Sequence, residues 1–415
     1  MILLAGVSVR ALIESAVASG YTVTGLDFYG DADACWRGKT MSITQDFGLK
    51  PTVKNLLDVA KTIPCYAFIY TSGPENTPSE LDFWERQGSL KGNGVLTLNE
   101  VRNPWRLKEC LENIGAKMPV FCSANQWDYS DDGKKWLIKP LNRGGGHGIK
   151  ELPVSIEKAK ALISDLPQPR QNIVEEYIAG IPGSVTFLAN GKEAWLLGTS
   201  RQLITRGGAG QHFLYSGNIV PLDLNGTISS RIFMKKILMS VTQLTKVFGL
   251  KGINTLDFIV NAEGVWILEL NPRWSASVEL IERVLGQRLF PYHLTACEGV
   301  DMTQTIQRLR AQPKRAALVY DHMTKCNRIP NFRGKQIVFS RNSNLITNYD
   351  GRKLRYLYLQ GVRDLPRTGT LIEKGQPLCT VLAAGKSDQD CSQKLQAKAE
   401  WVQQFIAQNR LKTAR

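Results

Sequence analysis

Chemistry is first legible in three oxygen-bearing side chains set in two adjacent apolar runs. Asp257 lies in Thr255-Leu256-Asp257-Phe258-Ile259, and Glu269 and Asn271 lie in Trp266-Ile267-Leu268-Glu269-Leu270-Asn271-Pro272-Arg273. Both runs are short and β-rich, and Asn261-Ala262-Glu263-Gly264 between them suits a hairpin turn. Glu269 and Asn271 are two apart, so on a strand they face one side, and closing the hairpin brings Asp257 near them. Hard divalent cations take oxygen ligands, and Mg2+ takes one or two carboxylates together with substrate phosphates. The pattern predicts a magnesium–nucleotide site. Taken alone, it is equally compatible with an exposed hairpin whose carboxylates are solvated.

A phosphate cradle would have to come from elsewhere in the chain. Lys135 to Pro140 reads as a strand, with Lys139 near its end, followed by Asn142-Arg143-Gly144-Gly145-Gly146-His147-Gly148-Ile149. Four glycines in five residues lose much backbone entropy on folding. Their use is to let N–H groups wrap a phosphate or to form a mobile flap, and a lysine beside them is a natural phosphate partner. No GK[ST] follows, so this is not a Walker A loop. His147 could donate to a phosphate or be a plain loop residue. Arg206-Gly207-Gly208-Ala209-Gly210 reads as a second flexible loop.

The elements that must carry these residues alternate strand and helix from the start. Met1 to Gly6 reads as a buried strand, Val9 to Ser19 as a helix ended by Gly20, Thr22 to Phe28 as a strand, and Cys65 to Tyr70 as another. That alternation predicts a doubly wound parallel sheet. Gly6-Val7-Ser8-Val9-Arg10 is not GxGxxG, so the dinucleotide fingerprint is absent. A helix begins at Asn103-Pro104. Ile173 to Ile178 reads as a strand or linker, and Ser184 to Ala189 with Ala194 to Thr199 as a hairpin turned by Asn190-Gly191. Arg231 to Phe248 reads as a long amphipathic helix leading into the Asp257 hairpin. From about 313 to 385 short strands are expected (Ala316 to Tyr320, Gln336 to Phe339, Leu378 to Leu382), then a terminal helix from Gln389 to Gln408.

Composition narrows the class. With 415 residues, 43% hydrophobic and 21% charged, the chain is globular and long enough for two to four domains. It has no apolar run long enough for a membrane span, and its N-terminus reads as a strand rather than a signal peptide. Eight cysteines without CxxC spacing argue against zinc or a disulfide framework and fit a reducing cytoplasm. The net charge of +15 is uneven: after residue 300 there are 21 Lys and Arg against 8 Asp and Glu, and before it 31 against 29. Such a basic C-terminal part could attract an acidic substrate, nucleic acid or an anionic surface, or simply be a soluble face.

Lys139, the glycine loop 144–148, the Glu175-Glu176-Tyr177-Ile178 segment and the Asp257…Glu269-x-Asn271-Pro-Arg273 hairpin occur in one order. That ordered set resembles the ATP-grasp superfamily of ATP-dependent carboxylate-amine ligases and biotin-carboxylase-like enzymes. The likeness covers residues 1 to 300. Residues 364–382 are similar to the C-terminal β domain of carboligases related to biotin carboxylase. The opening Gly6-x-Ser8-x-Arg10-Ala11 and Asp27-Phe28-Tyr29-Gly30-Asp31 resemble a branch with relatives in one-carbon cofactor pathways, those of methanopterin or methanofuran.

The resemblance implies an α/β chain: a Rossmann-like domain over 1–100, an ATP-grasp nucleotide-binding domain over 101–300, a small β-rich domain over 301–388, and a basic terminal helix over 389–415. By resemblance, Lys139 binds the α/β-phosphates and acts in catalysis, and Gly144, Gly145, Gly146, His147 and Gly148 form the flap over the β/γ-phosphates. Glu175 and the backbone near Tyr177 and Ile178 hold the adenine, with Glu176 as a ribose contact. Asp257, Glu269 and Asn271 hold Mg2+, or Mn2+ in its place, and Arg273 steadies an acyl-phosphate. The implied function is a cytoplasmic, ADP-forming ligase joining a small carboxylate to an amine such as an amino acid, and a homo-oligomer is compatible with it. Two alternatives stand beside it: a bicarbonate-using carboligase, and a basic non-catalytic protein that binds nucleotide or nucleic acid. The family's first nucleotide lysine is missing, with Arg102, Arg106 and Lys108 as candidates to replace it. Gly183-Ser184 stands where many members carry an acidic residue. His212, Arg201, Trp274, Ser275 and Ser277 are further candidates by position, with structural roles as the simpler expectation for His212 and Arg201.

Overall fold

The computed structural model describes residues 1–128, 133–205, 213–311, 332–346 and 351–410. The loop at 206–210, His212 and the strand expected at Ala316 to Tyr320 therefore lie outside the described residues.

The alternating first third forms a parallel sheet. Strands β1 (Ile2–Ala5), β2 (Val23–Asp27), β3 (Lys39–Ser42) and β4 (Ala67–Tyr70) stand in the order β3-β2-β1-β4, each pair parallel. β1, β2 and β4 are buried along their whole length, as expected for strands covered on both faces. One face packs Leu56, Leu57, Trp84 and Leu98 against Leu3, Ala5 and Phe68. The other packs Leu12 and Ile13 of the helix Arg10–Ala18 together with Trp274, Ile281 and Phe290, from the segment after the Asp257 hairpin. That shared core fixes the N-terminal sheet against the hairpin's exit.

A second sheet of four strands stands in the order β5-β8-β6-β7: β5 (Phe121–Ser123), β6 (Trp136–Pro140), β7 (Lys150–Glu151) and β8 (Asn172–Glu176). Its own core is small, built on Ala124, Ile138, Ile163 and Val174. The segment left open between strand and linker is thus β8, paired antiparallel with β6.

The third and largest sheet holds eight strands in the order β13-β12-β9-β10-β11-β14-β18-β16. These are β9 (Ile181–Asn190), β10 (Ala194–Thr205), β11 (Leu214–Val220), β12 (Lys251–Asn261), β13 (Gly264–Asn271), β14 (Phe332–Phe339), β16 (Val362–Arg363) and β18 (Pro377–Gly385). A two-stranded ribbon of β15 (Asn344–Leu345) and β17 (Leu371–Ile372) lies apart. The helix Ser230–Phe248 buries Phe233, Ile237, Val241 and Leu244 against Val185, Phe187 and Leu256 of this sheet. It stops at Gly249, whose φ of +62° is the left-handed C-terminal conformation that glycine adopts without strain. β14 pairs with β11, so the strands after residue 331 continue the sheet that carries the Asp257 hairpin. The helix Asp388–Arg410 closes that end, with Cys391, Leu395 and Val402 buried in the core of the C-terminal strands.

Candidate functional site

β12 and β13 are antiparallel neighbours, with Asp257 opposite Glu269 and Thr255 opposite Asn271. The register shifts between Asp257 and Phe258, a bulge of the kind that re-aims side chains. Asn271 Nδ2 donates to Asp257 Oδ2 at 2.9 Å and to Glu269 Oε1 at 3.3 Å, so the three expected groups converge. Asp257 keeps some exposure as a residue, but its Oδ1 is sealed from solvent and has no hydrogen-bond partner. Burial first, then the Glu269 carboxylate, pushes the Asp257 carboxyl well above the ordinary range, while Gln202 and Arg273 pull the other way.

These features fit a hard divalent cation. An orphaned carboxylate oxygen beside a second carboxylate lacks the positive charge that such an ion supplies. The donor set is two carboxylates and one amide, and among the described residues no group of three or more His, Cys, Asp or Glu could hold a metal by itself. Mg2+ suits such a partial set because it completes its shell with water and phosphate oxygens. The Asn271 amide presents its NH2 to both carboxylates while its Oδ1 accepts from Arg273 Nη2 at 3.1 Å. To offer oxygen to an ion the amide would turn over, an orientation assigned from the hydrogen-bond network.

Facing this hairpin is the end of β6. Lys139 Nζ donates to Glu175 Oε1 at 2.9 Å, and β8 holds Glu175 opposite Leu137 of β6. Burial lowers the Lys139 ammonium's pKa, but Glu175, Glu269 and Asp257 more than offset it, so the net shift is upward. The lysine thus lies in the field of both carboxylates of the hairpin. Glu176 pairs instead with Lys134 at 3.1 Å, and the Tyr177 ring is exposed, 6.2 Å from the Phe213 ring. The backbone here is stitched by Glu176 N to Val120 O and Tyr177 N to Lys135 O, each 2.8 Å, leaving Ile178 at the exit of β8.

The glycine loop lies across β11. Tyr215 N donates to Gly145 O at 3.0 Å, and His147 N to Gly144 O at 3.3 Å. Gly146 has a φ of +78°, and a Cβ there would stand 1.7 Å from Phe213 O. No side chain fits at that position. Burial, then Arg143, lowers the His147 pKa, so its ring is neutral near pH 7 and can both donate and accept. Arg102, of the three candidates for the missing lysine, is the one tied to this region: its Nη2 donates to Asn76 Oδ1 (2.6 Å), Leu141 O (2.9 Å) and Arg143 O (3.3 Å). Arg106 pairs with Glu100 and Glu109 at the surface, and Lys108 pairs with Glu112.

Arg273 leaves the hairpin toward the N-terminal sheet, where its Nε donates to Glu75 Oε1 at 2.6 Å. Glu75 is 1% exposed and its Oε2 accepts from Gly73 N at 2.5 Å, so the arginine is held from two sides, by Glu75 and Asn271. Glu75 was not among the residues expected from sequence. A signal was present: it follows β4 at the carboxyl edge of a parallel sheet, where such sheets place ligands. The other positional candidates among the described residues have partners within the fold. Arg201 is held by Asp388 (2.7 Å) and Ser392 (2.8 Å), and Trp274 is buried against Phe290 and His293. Ser275 and Ser277 bond to Thr255 and Thr186 across the sheet, and Ser277 makes no side-chain cap for the following helix.

This arrangement has counterparts. The family description "ATP-grasp domain" matches residues 101–277. The chain carries an ATP-grasp domain. Uncharacterized protein MJ0776 of Methanocaldococcus jannaschii is 22% identical over 92% of this chain and 87% of its own length. The arginine-specific carbamoyl phosphate synthase large chain of Bacillus subtilis is 21% identical over 60% of this chain, which spans only 24% of that protein. Among solved structures, L-amino acid ligase from Bacillus licheniformis superposes with a TM-score of 0.65 at 17% identity, covering 95% of this chain and 96% of that one. The fold is that of the ATP-grasp ligases, a mixed α/β architecture as the residue pattern implied. No helix among the described residues is long and apolar enough to cross a membrane.

Proposed function

We propose that the protein is an ATP-dependent ligase that activates a carboxylate as an acyl-phosphate and joins it to an amine, releasing ADP and phosphate. The observation that carries this reading is the convergence of Lys139 from β6 with Asp257, Glu269 and Asn271 on the β12–β13 hairpin, and of Arg273 just beyond it.

A carboxylate is a poor electrophile, and phosphorylation gives it a leaving group. Phosphoryl transfer of this kind is mostly positioning and charge neutralisation. Asp257, Glu269 and Asn271 would hold Mg2+, which would supply positive charge to neutralise the phosphates. Lys139 holds the α- and β-phosphates, kept protonated and aimed by Glu175. Gly144 to Gly148 cover the phosphates with backbone N–H groups, and His147 sits in that cover. Glu175, with the β8 backbone through Tyr177 and Ile178, frames the base, and Glu176 remains the ribose candidate. Arg273, fixed by Glu75, presents its guanidinium to the carboxylate being activated and to the charge that develops when the amine attacks. In our reading Arg102 stands in for the absent first lysine by tying the glycine-loop stem to Asn76.

A second reading, carboxylation through carboxyphosphate, draws support from the carbamoyl phosphate synthase likeness. A thermal-shift titration with Mg-ATP followed by coupled ADP-release assays decides between them. Release that requires an amino acid or a pterin- or furan-type acid supports the ligase, and release that requires bicarbonate alone supports the carboligase. Absence of both Mg-ATP binding and ADP release in every mixture overturns both.

A further inference from the structure

The C-terminal strands carry a solvent-open groove of about 540 Å3, a volume within the range of small-molecule sites. Ala384, at the end of β18, lies at its base. The helix Asp388–Arg410 lines it with Lys394, Ala397, Lys398 and Trp401, positions that share one face of a helix. Tyr356, from the helix Gly351–Leu359, adds a second ring. Alanine at 384 and 397 leaves the space between these rings and lysines unfilled.

The lining combines fixed aromatic rings with an unpaired cation. Tyr356 is 46% exposed, and its ring centroid stands 6.2 Å from that of Trp401, edge to face. Phe405 backs both rings, at 5.9 Å from Tyr356 and 5.7 Å from Trp401, so they are held in place for a flat apolar body to pack on. Lys398 is half-buried, and its Nζ donates to Leu382 O at 2.6 Å. A Cβ at Gly361 would stand 3.1 Å from that Nζ, so the glycine makes room for the ammonium. Among the described residues Lys398 forms no ion pair. Burial, then Arg363, lowers its pKa, and no carboxylate opposes them. Lys394, by contrast, is paired with Asp390 at 2.8 Å, and Glu400 is taken up by Arg341.

The edge of β18 adds a backbone donor. Leu382 N donates to Gly361 O at 2.9 Å and Leu382 O accepts from Lys398, so both groups point away from β14. Two residues on, the Ala384 N–H and C=O point the same way, past β16, which pairs with Thr380 and Val381.

We propose that this groove binds a small planar aromatic acid, with its carboxylate or phosphate on Lys398 and the Ala384 N–H and its ring against Tyr356 and Trp401. The elements that build it carry none of Lys139, the glycine loop or the Asp257 hairpin, so the site stands independently of the ligase reading. A partly desolvated ammonium without a counter-charge gains strongly from an anion, because charge-assisted hydrogen bonds are the strong ones. Two of its three donors remain for that anion once Leu382 O is satisfied. A polynucleotide suits the groove less well, since it needs a track of free cations and Lys394 is already paired.

The test is a calorimetric titration of the full chain with 2-naphthoate and 1-naphthyl phosphate, against neutral 2-naphthamide and inorganic phosphate at equal ionic strength. At least one naphthyl anion should saturate the wild type, and which of the two binds tighter assigns the head group. Both controls should bind about tenfold more weakly or worse, having lost either the charge or the ring. Lys398→Gln keeps a donor for Leu382 O but removes the charge, and should weaken the anion about tenfold or more, while Lys398→Arg should recover most of that loss. Ala397→Leu, at an exposed helix position that leucine suits, fills the groove and should weaken the anion to a similar degree without lowering the urea midpoint. No saturation by either anion, equal affinity for naphthamide or for inorganic phosphate, or unchanged affinity in Lys398→Gln or in Ala397→Leu overturns the proposal.

Discussion

Asp257→Asn is expected to move apo stability and ligand response in opposite directions. In the apo protein Asp257 Oδ1 is buried without a partner beside Glu269, and leaving a buried acceptor unsatisfied costs roughly 1–3 kcal/mol. An asparagine amide can donate to Glu269 and removes the repulsion, so the apo variant should be more stable by about 1 kcal/mol or more. Ligand binding works the other way. Mg-ATP at about 100 times its Kd stabilises the wild type by about 2.7 kcal/mol. If loss of the charged ligand weakens binding about a hundredfold, close to 2.8 kcal/mol, the same Mg-ATP adds only about 0.4 kcal/mol to the variant. Urea unfolding followed by tryptophan fluorescence, with and without Mg-ATP, reads both quantities in one experiment. An apo variant less stable than the wild type, or one with an undiminished response to Mg-ATP, refutes the argument that this carboxylate is kept for an ion.

Four further outcomes follow from the same geometry. Lys139→Met should destabilise by about 3 kcal/mol by leaving Glu175 buried without its partner, and adding Glu175→Gln should restore urea stability without restoring Mg-ATP affinity. Gly146→Ala places a methyl on Phe213 O, so the loop must lift from β11; turnover should fall at least tenfold with the circular dichroism spectrum unchanged, and wild-type turnover would show that this packing is dispensable. Glu75→Gln should reduce ADP release about tenfold or more while equilibrium binding of Mg-ATP holds, since Arg273 loses its charged anchor; a matching loss of binding would contradict that division. Burial above all holds Asp27 at about 6 and Asp33 at about 7, both raised from 3.8, so the folded form keeps protons that the unfolded chain releases. Their contribution to stability is full below about pH 4 and lost as pH rises to about 7, so proton uptake on folding should be measurable near pH 5.5, and its absence there would refute the shifts.

The element pattern was readable because buried strands and amphipathic helices each leave a period in the chain. Ile2–Ala5, Val23–Asp27 and the helix Ser230–Phe248 lie within a residue or two of their expected bounds, while the first strand of the Asp257 hairpin begins at Lys251, four residues before the expected Thr255. Asp257, Glu269 and Asn271 could be grouped because strand alternation and a single turn set their distances. Ile173 to Ile178 was ambiguous because six residues of mixed polarity fit a strand or a linker, and only pairing with β6 resolved it. The choice among Arg102, Arg106 and Lys108 likewise had no local signal, since it depends on which one meets Asn76 and Leu141.

What the sequence determined by itself is therefore local: the order of the elements, the oxygen ligands on one hairpin, the glycines beside a lysine. Tertiary structure decided what faces them. Glu75 meets Arg273 across 198 positions of chain, and Arg10 meets Asp364 across 354. No periodicity encodes such pairs, because their distance is set by how whole sheets pack rather than by the rise per residue of any one strand. The same holds for Asp31, an ordinary loop aspartate until packing buries its Oδ2 without a hydrogen-bond partner.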